Sequence, residues 1–315
     1  MSVSSLITLK DQVVTVFGGT GFIGSAVVAE LMQAGARVRV VTRQPQAAYF
    51  LRQYGNAGQV VAVPSVFKTA HDLAEAIKGS HMVVNCTGVL LDKKKVSFSH
   101  VHTDYPHWIA QACRKYGVAR FVHLSALAVD RSKSEYAISK LSGERLAMQD
   151  YPSVTILRPS VVFGAGDNFI NKFASLARVL PFLPLFGGGK SKFQPVYVGD
   201  VAKAVVKALQ MPASQGKIYE LGGPDILTFK QIYKKIFEHT GLRCGMISIP
   251  WWIARIKAFF FSILPTPPIT NDQITSLQTD NVVQSGALTL RDLGIDATVM
   301  DAVLPRYLSR FHYKR

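Results

Sequence analysis

A strand-like run passes directly into a glycine-rich turn in VVTVFGGTGFIG (residues 13–24). Its β-branched half predicts a buried strand, and FIGSAVVAELMQAG (residues 22–35) predicts the helix that follows. The glycines allow a tight turn and close approach of a pyrophosphate, and the free N–H groups at the helix start face the phosphates. The turn therefore predicts a dinucleotide site. Its predicted cofactor-binding residues are Gly18, Thr20, Gly21, Phe22, Ile23 and Gly24.

Short apolar runs alternate with helical segments beyond this turn. Strands that are apolar throughout and separated by helices indicate a parallel sheet covered on both faces. We therefore predict the α/β class, a Rossmann-type doubly wound parallel sheet. The predicted strands are 12–17, 37–42, 59–63, 81–86, 120–126 and 153–163, and the predicted helices are 22–34, 45–55, 70–78, a long segment ending near 116, and 134–150.

The pattern changes near residue 160, where glycine and proline become frequent, as in PFLPLFGGGK (residues 181–190). We predict an NAD(P)-binding domain over residues 1–160. Residues 161–315 are predicted to contribute a small, interleaved cap that returns to the sheet at FQPVYV (193–198) and KIYELGG (217–223).

The end of the second strand bears on cofactor choice. An NAD site usually places a carboxylate there, beside the adenosine ribose, whereas this chain has Thr42, Arg43 and Gln44. An arginine there can pair with a 2′-phosphate, so we expect NADP(H) to be preferred, with NAD(H) still possible. The alternative is that Arg43 is a solvated surface arginine that contacts no cofactor.

Small residues after the fourth strand let the chain pass under the dinucleotide, and Asn85, Thr87 and Gly88 are predicted to bind it.

The charge and the cysteine content of the chain bear on its partners and its compartment. Lys and Arg number 36 against 20 Asp and Glu, a formal charge of +16, which suggests an anionic partner. The lysines are scattered and no nucleic-acid-reading motif appears, so we do not expect nucleic acid. Three distant cysteines, Cys86, Cys113 and Cys244, favour a reducing compartment.

The location follows from hydropathy. The first ten residues lack the apolar stretch of a secretory signal, and no run reaches the roughly 18 to 20 apolar residues that span a bilayer. We expect a cytoplasmic or already processed protein, and any membrane role would have to be peripheral.

Several motifs carry a family resemblance. GGTGFIG (18–24), NCTG (85–88) and the YAISK helix (136–140) resemble the short-chain dehydrogenase/reductases of the extended, sugar-nucleotide epimerase type. The later motifs resemble the family of the nucleotide-binding accessory subunit of respiratory complex I and its bacterial relatives. These motifs are RPSVVFG (158–164), FQPVYVGDVA (193–202), YELGGP (219–224) followed by LTF, PPITNDQ (267–273) and DNVV (280–283).

The resemblance implies a catalytic set of Tyr136, Lys140 and Ser125, with Tyr136, Lys140 and Pro159 also binding the cofactor. Tyr136 and Lys140 share a helical face, so the ammonium can lower the pKa of the phenol, and Ser125 would bind the same substrate oxygen. The alternative is that the pair only binds the cofactor ribose. His102 stands where extended reductases usually carry Asn, and only eleven positions separate Ser125 from Tyr136, which supports that alternative.

Two further features concern metals and membranes. His100, His102 and His107 lack a carboxylate or cysteine in ligand register, so we expect no metal.

In WWIARIKAFFFSIL (251–264), a helix would gather apolar side chains on one arc with Arg255 and Lys257 at its edges. The arc residues are Phe259, Trp252, Ile263, Ile256, Phe260 and Ile253.

This segment has two interpretations. Either it lies in an anionic headgroup layer or on a membrane-bound partner, or it is a cap helix whose aromatics fill a pocket or core.

The resemblance leaves two functions open for the chain. One is an accessory or assembly protein of NADH:ubiquinone oxidoreductase, with complex I subunits or another membrane-bound respiratory partner and a largely structural nucleotide. The other is an active NADP-dependent reductase or epimerase acting on a sugar nucleotide, quinone or lipid-like carbonyl.

Overall fold

A parallel sheet forms the centre of the molecule. The computed structural model describes residues 6–92, 97–261 and 269–312, and within these ranges seven strands pair in parallel in the order β11-β6-β5-β4-β1-β2-β3. The strands are β1 Val13–Phe17, β2 Arg37–Thr42, β3 Val60–Pro64, β4 Met82–Asn85, β5 Arg120–Leu124, β6 Thr155–Pro159 and β11 Ile218–Leu221. The chain order reverses between β1 and β4, the place where doubly wound sheets bind nucleotides.

Helices cover both faces of the sheet, which confirms the doubly wound prediction. The helices of this layer are α1 Phe22–Gln33, α2 Ala70–Ile77, α3 Tyr105–Lys115, α4 Glu135–Asp150 and α6 Val198–Gln210. Val84 of β4 faces the core under α1 and α6, whereas the preceding residue, Val83, faces the core under α2, α3 and α4. Because successive strand residues point to opposite faces, an apolar run such as MVVN fills both cores.

The cap is built by the second half of the chain around a third core that includes Phe163, Phe229 and Tyr233. Its helices are α5 Ile170–Val179, α7 Phe229–Thr240, α8 Trp251–Phe261, α9 Asn271–Leu277 and α10 Met300–Leu308. Its strands are β7 Val162–Phe163, β8 Phe182–Phe186, β9 Lys192–Phe193, β10 Val196–Tyr197, β12 Leu227–Thr228 and β13 Gly245–Ile249. They pair as β10 with β7, β12 with β9, and β13 with β8.

Two sequence predictions about the strands need correction. KIYELGG returns to the main sheet as β11, but FQPVYV forms β9 and β10, which belong to two small separate sheets. The predicted strand 153–163 is divided at Ser160, because Asn281 accepts hydrogen bonds from the Ser160 hydroxyl and the Val161 N–H and draws the chain away from β6. The boundary at residue 160 stays a prediction, since the chain beyond it supplies both cap and sheet.

Two helical segments also differ from the regular α-helix. Residues Pro45–Tyr54 form a 3₁₀ helix, whose buried residues Ala48 and Leu51 lie three apart and so share a face at about three residues per turn. The long segment before residue 116 starts with a π-helical turn, Ser99–Asp104, and continues as α3. Within the described ranges, every helix is too short or too polar to cross a bilayer.

Candidate nucleotide-binding site

The glycine turn between β1 and α1 has the geometry that the sequence predicted. Gly18 has φ 74°, and a Cβ there would lie 2.9 Å from the carbonyl carbon of Cys86. A Cβ at Gly24 would lie 2.1 Å from the carbonyl oxygen of Gly18, so only glycine allows α1 to start this close to the strand. No described side chain caps α1, whose N-cap is Gly21, and the helix start is therefore available to an anion.

The other predicted turn residues have distinct surroundings. Ile23 packs against the core under α1, and Thr20 lies half-buried in the turn. The ring of Phe22 packs beside Gly164 and Gly166, so it contacts the cap. The turn therefore joins the nucleotide-binding layer to the cap as well as shaping a phosphate site.

The remaining predicted residues meet at one edge of the sheet, because the carboxyl ends of parallel strands lie together. Arg43 follows β2, Thr87 follows β4, Ser125 follows β5 and Pro159 ends β6. Arg43 is exposed, and Pro159 is buried and accepts a hydrogen bond from the Leu127 N–H at 2.9 Å. This edge is the candidate site.

The side chain of Asn85 holds the loop after β4 in place by hydrogen bonds. Its side chain is fully buried, and its Oδ1 accepts hydrogen bonds from the N–H of Thr87 at 3.0 Å and from the hydroxyl of Thr87 at 2.6 Å. Its amide donates to Nδ1 of His123 at 3.1 Å. Thr87 is half-buried and Gly88 exposed, so these two border the site while Asn85 holds their loop.

Lys140 joins the ends of two strands. Its buried ammonium donates to the carbonyl oxygens of Leu124 at 3.1 Å and Thr87 at 3.3 Å. Burial lowers its pKa to about 8, although the charges of Glu144 and Cys86 act in the opposite direction. The ammonium thus remains mostly protonated at neutral pH and can donate a further bond to a ligand.

The pKa of Tyr136 departs from the sequence-based expectation. We expected the Lys140 ammonium to lower it, but burial raises the pKa of Tyr136 to about 12. The Lys140 ammonium points instead to the two main-chain carbonyls. At neutral pH the phenol is therefore protonated, able to donate a hydrogen bond, and poorly suited to act as a base.

Ser125 has an unsatisfied hydroxyl. Its N–H donates to the Leu157 carbonyl oxygen at 2.8 Å, which fixes the backbone next to β6. Its Oγ is buried and has no hydrogen-bond partner among the described residues. Because buried hydroxyls are normally paired, this atom is a candidate for contact with a bound carbonyl or hydroxyl group.

His102 replaces the usual asparagine with a well-bonded imidazole. Nε2 accepts from the Val89 N–H at 3.0 Å, so the proton lies on Nδ1, which donates to the Ser139 hydroxyl at 3.0 Å. Burial and the Lys140 charge lower the pKa of His102 to about 3, and the ring is neutral. It contacts the Tyr136 ring edge-on, with 5.2 Å between centroids.

The three neighbouring histidines have separate partners. His100 bonds to Asp104 at 3.1 Å, and His107 lies 2.6 Å from an oxygen of Asp150. Among residues 6–92, 97–261 and 269–312, no group of three His, Cys, Asp or Glu side chains is arranged to hold a metal ion.

One residue at this edge was missed by sequence reasoning. Asp272 of α9 accepts hydrogen bonds from the main chain at the start of α4, where Tyr136 lies. Its motif, PPITNDQ, was recognised, but the contact joins positions 137 apart. Only a pairing between distant segments could have revealed it.

A glycine turn, an open helix start and a Tyr–Lys helix at one edge of a doubly wound sheet define the class of Rossmann-type short-chain dehydrogenase/reductase-like proteins. The profile of the NAD dependent epimerase/dehydratase family matches residues 14–222. NADH dehydrogenase (ubiquinone) 1 alpha subcomplex subunit 9 of Arabidopsis thaliana is 32% identical over 301 residues, 91% of this chain and 75% of that protein.

Two further proteins mark the breadth of the similarity. The ceramide reductase of Caulobacter vibrioides is 32% identical over 201 residues, 64% of this chain and 62% of that protein. The UDP-glucose 4-epimerase of Thermus thermophilus, solved in complex with NAD, has a TM-score of 0.69 at 21% identity, and the match covers 95% of this chain and 99% of that one.

The chain therefore belongs to the NAD dependent epimerase/dehydratase family and, within it, to the family of the alpha subcomplex subunit 9 proteins. Family and turn geometry together support a nicotinamide nucleotide at this edge of the sheet.

Proposed function

We propose that this chain is an accessory or assembly protein of NADH:ubiquinone oxidoreductase that holds a nicotinamide nucleotide in a largely structural role. The observation that carries the proposal is the state of the Tyr–Lys pair. The Lys140 ammonium ties β4 to β5 through two main-chain carbonyls, and its charge does not lower the pKa of Tyr136. The relatives named as complex I subunits supply the partner, respiratory complex I.

A bound nucleotide would link the parts of this edge. The phosphates would lie at the start of α1, and the Lys140 ammonium would donate to the nicotinamide ribose between β4 and β5. A ligand present at a hundred times its dissociation constant stabilises the folded state by about 2.7 kcal/mol without any chemistry. The nucleotide would thereby order the surface that the partner recognises.

NADP(H) is the preferred nucleotide in this proposal. Arg43 is exposed at the end of β2, and residues 31–71 contain no Asp or Glu, so the segment around the end of β2 does not supply the carboxylate that an NAD site uses to bind the ribose. We also propose that the predicted cofactor-binding residues contact this nucleotide, and that Tyr136, Lys140 and Ser125 are catalytic only under the reductase function.

Helix α8 supports peripheral attachment to an anionic membrane surface or a membrane-bound partner. Trp252, Ile256, Phe259 and Phe260 are exposed, between 49% and 66%, which opposes the alternative that they fill a core. Ala254 and Ala258 face inward instead, against Ile274. Ile263, also expected on the arc, lies outside the described residues. We place this attachment at the inner face of the cell membrane, or on the matrix side in a mitochondrion.

The test is to solubilise native membranes gently, separate the complexes on a non-denaturing gel and assay denatured eluates for nucleotide. Co-migration with NADH dehydrogenase activity and a stoichiometric amount of NADPH would support the proposal. A free, low-mass band with loosely held nucleotide would overturn it.

A second candidate is an active reductase or epimerase, favoured by the similarity to ceramide reductase and by the unpartnered hydroxyl of Ser125. It would act on a lipid-like carbonyl, a quinone or a sugar nucleotide, with Tyr136 as proton donor. Tyr136→Phe separates the two functions. It abolishes turnover in the second and leaves nucleotide retention and complex content unchanged in the first.

A further inference from the structure

The C-terminal strap, defined as residues 270–284, runs along the nucleotide edge. It comprises α9 and the DNVV motif, and it bonds to the loop after β5, the start of α4, the end of β6 and β11. These contacts hold the strap against the segments that carry the candidate site residues.

Asp272 completes the N-terminus of α4. Its Oδ1 accepts from the Glu135 N–H at 2.5 Å and its Oδ2 from the Tyr136 N–H at 3.3 Å. The hydroxyl of Ser134, the local N-cap residue, accepts from the Ala137 N–H at 3.2 Å. The first three N–H groups of the helix are therefore bonded, two of them to a carboxylate whose charge also suits the helix dipole.

This cap acts on the two residues that would face the nicotinamide in the proposed function. Tyr136 itself donates one of the bonds, and Lys140 lies one turn further along α4. Fixing the first turn fixes the place of the phenol and the direction from which the ammonium reaches the ends of β4 and β5. A helix start that frays would move both groups.

Asn281, also in the strap, bonds to the loop after β5 and to the residue that follows β6. Its amide donates to the Leu127 carbonyl oxygen at 3.0 Å, two residues beyond Ser125, and its Oδ1 accepts from the Ser160 hydroxyl at 2.6 Å. The strap thus contacts three main-chain stretches: the loop after β5 that carries Ser125, the start of α4, and the end of β6.

We propose that Asp272 is a positioning residue for the nicotinamide half of the nucleotide site, acting through the N-terminus of α4. This inference rests on the proposed nucleotide function. The adenosine half depends on the turn after β1 and on Arg43 after β2, with which the strap makes no hydrogen bond among the described residues. The strap therefore sets affinity for one half of the ligand only.

The experiment compares two ligands and three variants of the full chain by titration calorimetry. NADPH reports on the whole site, and adenosine 2′,5′-bisphosphate reports on the adenosine half. Asp272→Ala should weaken NADPH about fivefold, the effect expected of a lost helix cap, and leave adenosine 2′,5′-bisphosphate unchanged. Asp272→Asn, which keeps one acceptor oxygen, should lie between wild type and Asp272→Ala.

Asp72→Ala is the matched control. Asp72 is also a half-buried carboxylate at a helix start, and it accepts from the N–H groups of Lys68 and Thr69. Its loss should lower stability and change neither dissociation constant. If Asp272→Ala weakens both ligands equally, or weakens neither, the positioning role is wrong.

A wild-type protein that binds neither these two ligands nor NADH would overturn the proposed function instead. Hydrogen exchange at the amides of Glu135 and Tyr136 tests the helix cap without any ligand. Faster exchange in Asp272→Ala than in Asp72→Ala supports the cap, and equal exchange overturns it.

Discussion

The ammonium of Lys140 donates a hydrogen bond to the carbonyl oxygen of Leu124 at 3.1 Å, and this bond ties helix α4 to the end of strand β5. A second bond, to Thr87, extends the tie to β4. The lysine thus already supports the edge of the sheet before any ligand binds. Its third donor remains for a ribose, which makes the same side chain part of both the fold and the site.

Lys140→Met should change how stability depends on pH. The folded-state pKa is about 8, below the ordinary value of 10.5, so the unfolded chain binds more protons between these values and the wild type gains stability as pH rises through that window. The variant lacks this gain. The difference in free energy of unfolding, wild type minus variant, should rise from pH 8 to 10.5 in urea titrations without nucleotide. A difference in free energy of unfolding that does not change with pH would contradict the lowered pKa of Lys140.

Gly24→Ala should destabilise the turn and abolish nucleotide binding. Its Cβ would meet the main-chain oxygen of Gly18 at 2.1 Å, and backbone cannot move aside as a side chain can, so we expect a loss of about 3 kcal/mol. Gly58→Ala is the control, because its Cβ meets nothing within 4 Å although its φ is +77°. It should cost some stability and leave the dissociation constant unchanged. Urea unfolding and calorimetry measure both effects.

Arg43→Ala should reduce the preference for NADPH over NADH. A charge-assisted bond to a 2′-phosphate is worth about 1.5 to 3 kcal/mol, so NADPH affinity should fall about 10- to 100-fold while NADH affinity stays the same. Arg52→Ala controls for lost surface charge, since Arg52 stacks over Tyr49 at 4.7 Å instead. Equal affinities of the wild type for the two nucleotides would contradict the assignment.

Replacing three aromatic residues of α8 by serine, as Trp252→Ser, Phe259→Ser and Phe260→Ser together, should release the protein from anionic vesicles. The side chains are exposed, so folding should change little, whereas the loss of their insertion should weaken binding about tenfold or more. Flotation with phosphatidylcholine vesicles, with and without phosphatidylglycerol and at two salt concentrations, measures this.

The control for the vesicle experiment is the pair Val179→Ser and Ile226→Ser, which removes exposed apolar side chains elsewhere. It should float like the wild type. Absence of salt-sensitive flotation for the wild type would rule out the lipid surface and leave a membrane-bound protein as the partner of α8.

Much of the site was predictable because its parts follow strands directly. Arg43, Thr87 and Ser125 come after runs whose apolar character marks them as buried parallel strands, and such strands end at a common edge. The chemistry of these parts was less predictable. The pKa of Tyr136 depends on how deeply the phenol is buried and on where Lys140 points, and neither is a property of their spacing.

The doubly wound class, the glycine turn and the amphipathic arc of residues 251–264 could be predicted from the sequence, because they depend on the periodicity and steric requirements of successive local segments. The sequence did not reveal that the arc faces outward, that FQPVYV leaves the main sheet, or that Asp272 caps a helix 137 positions away. These outcomes depend on which distant segments pack together, and that choice is made by the summed burial and hydrogen bonding of the whole chain.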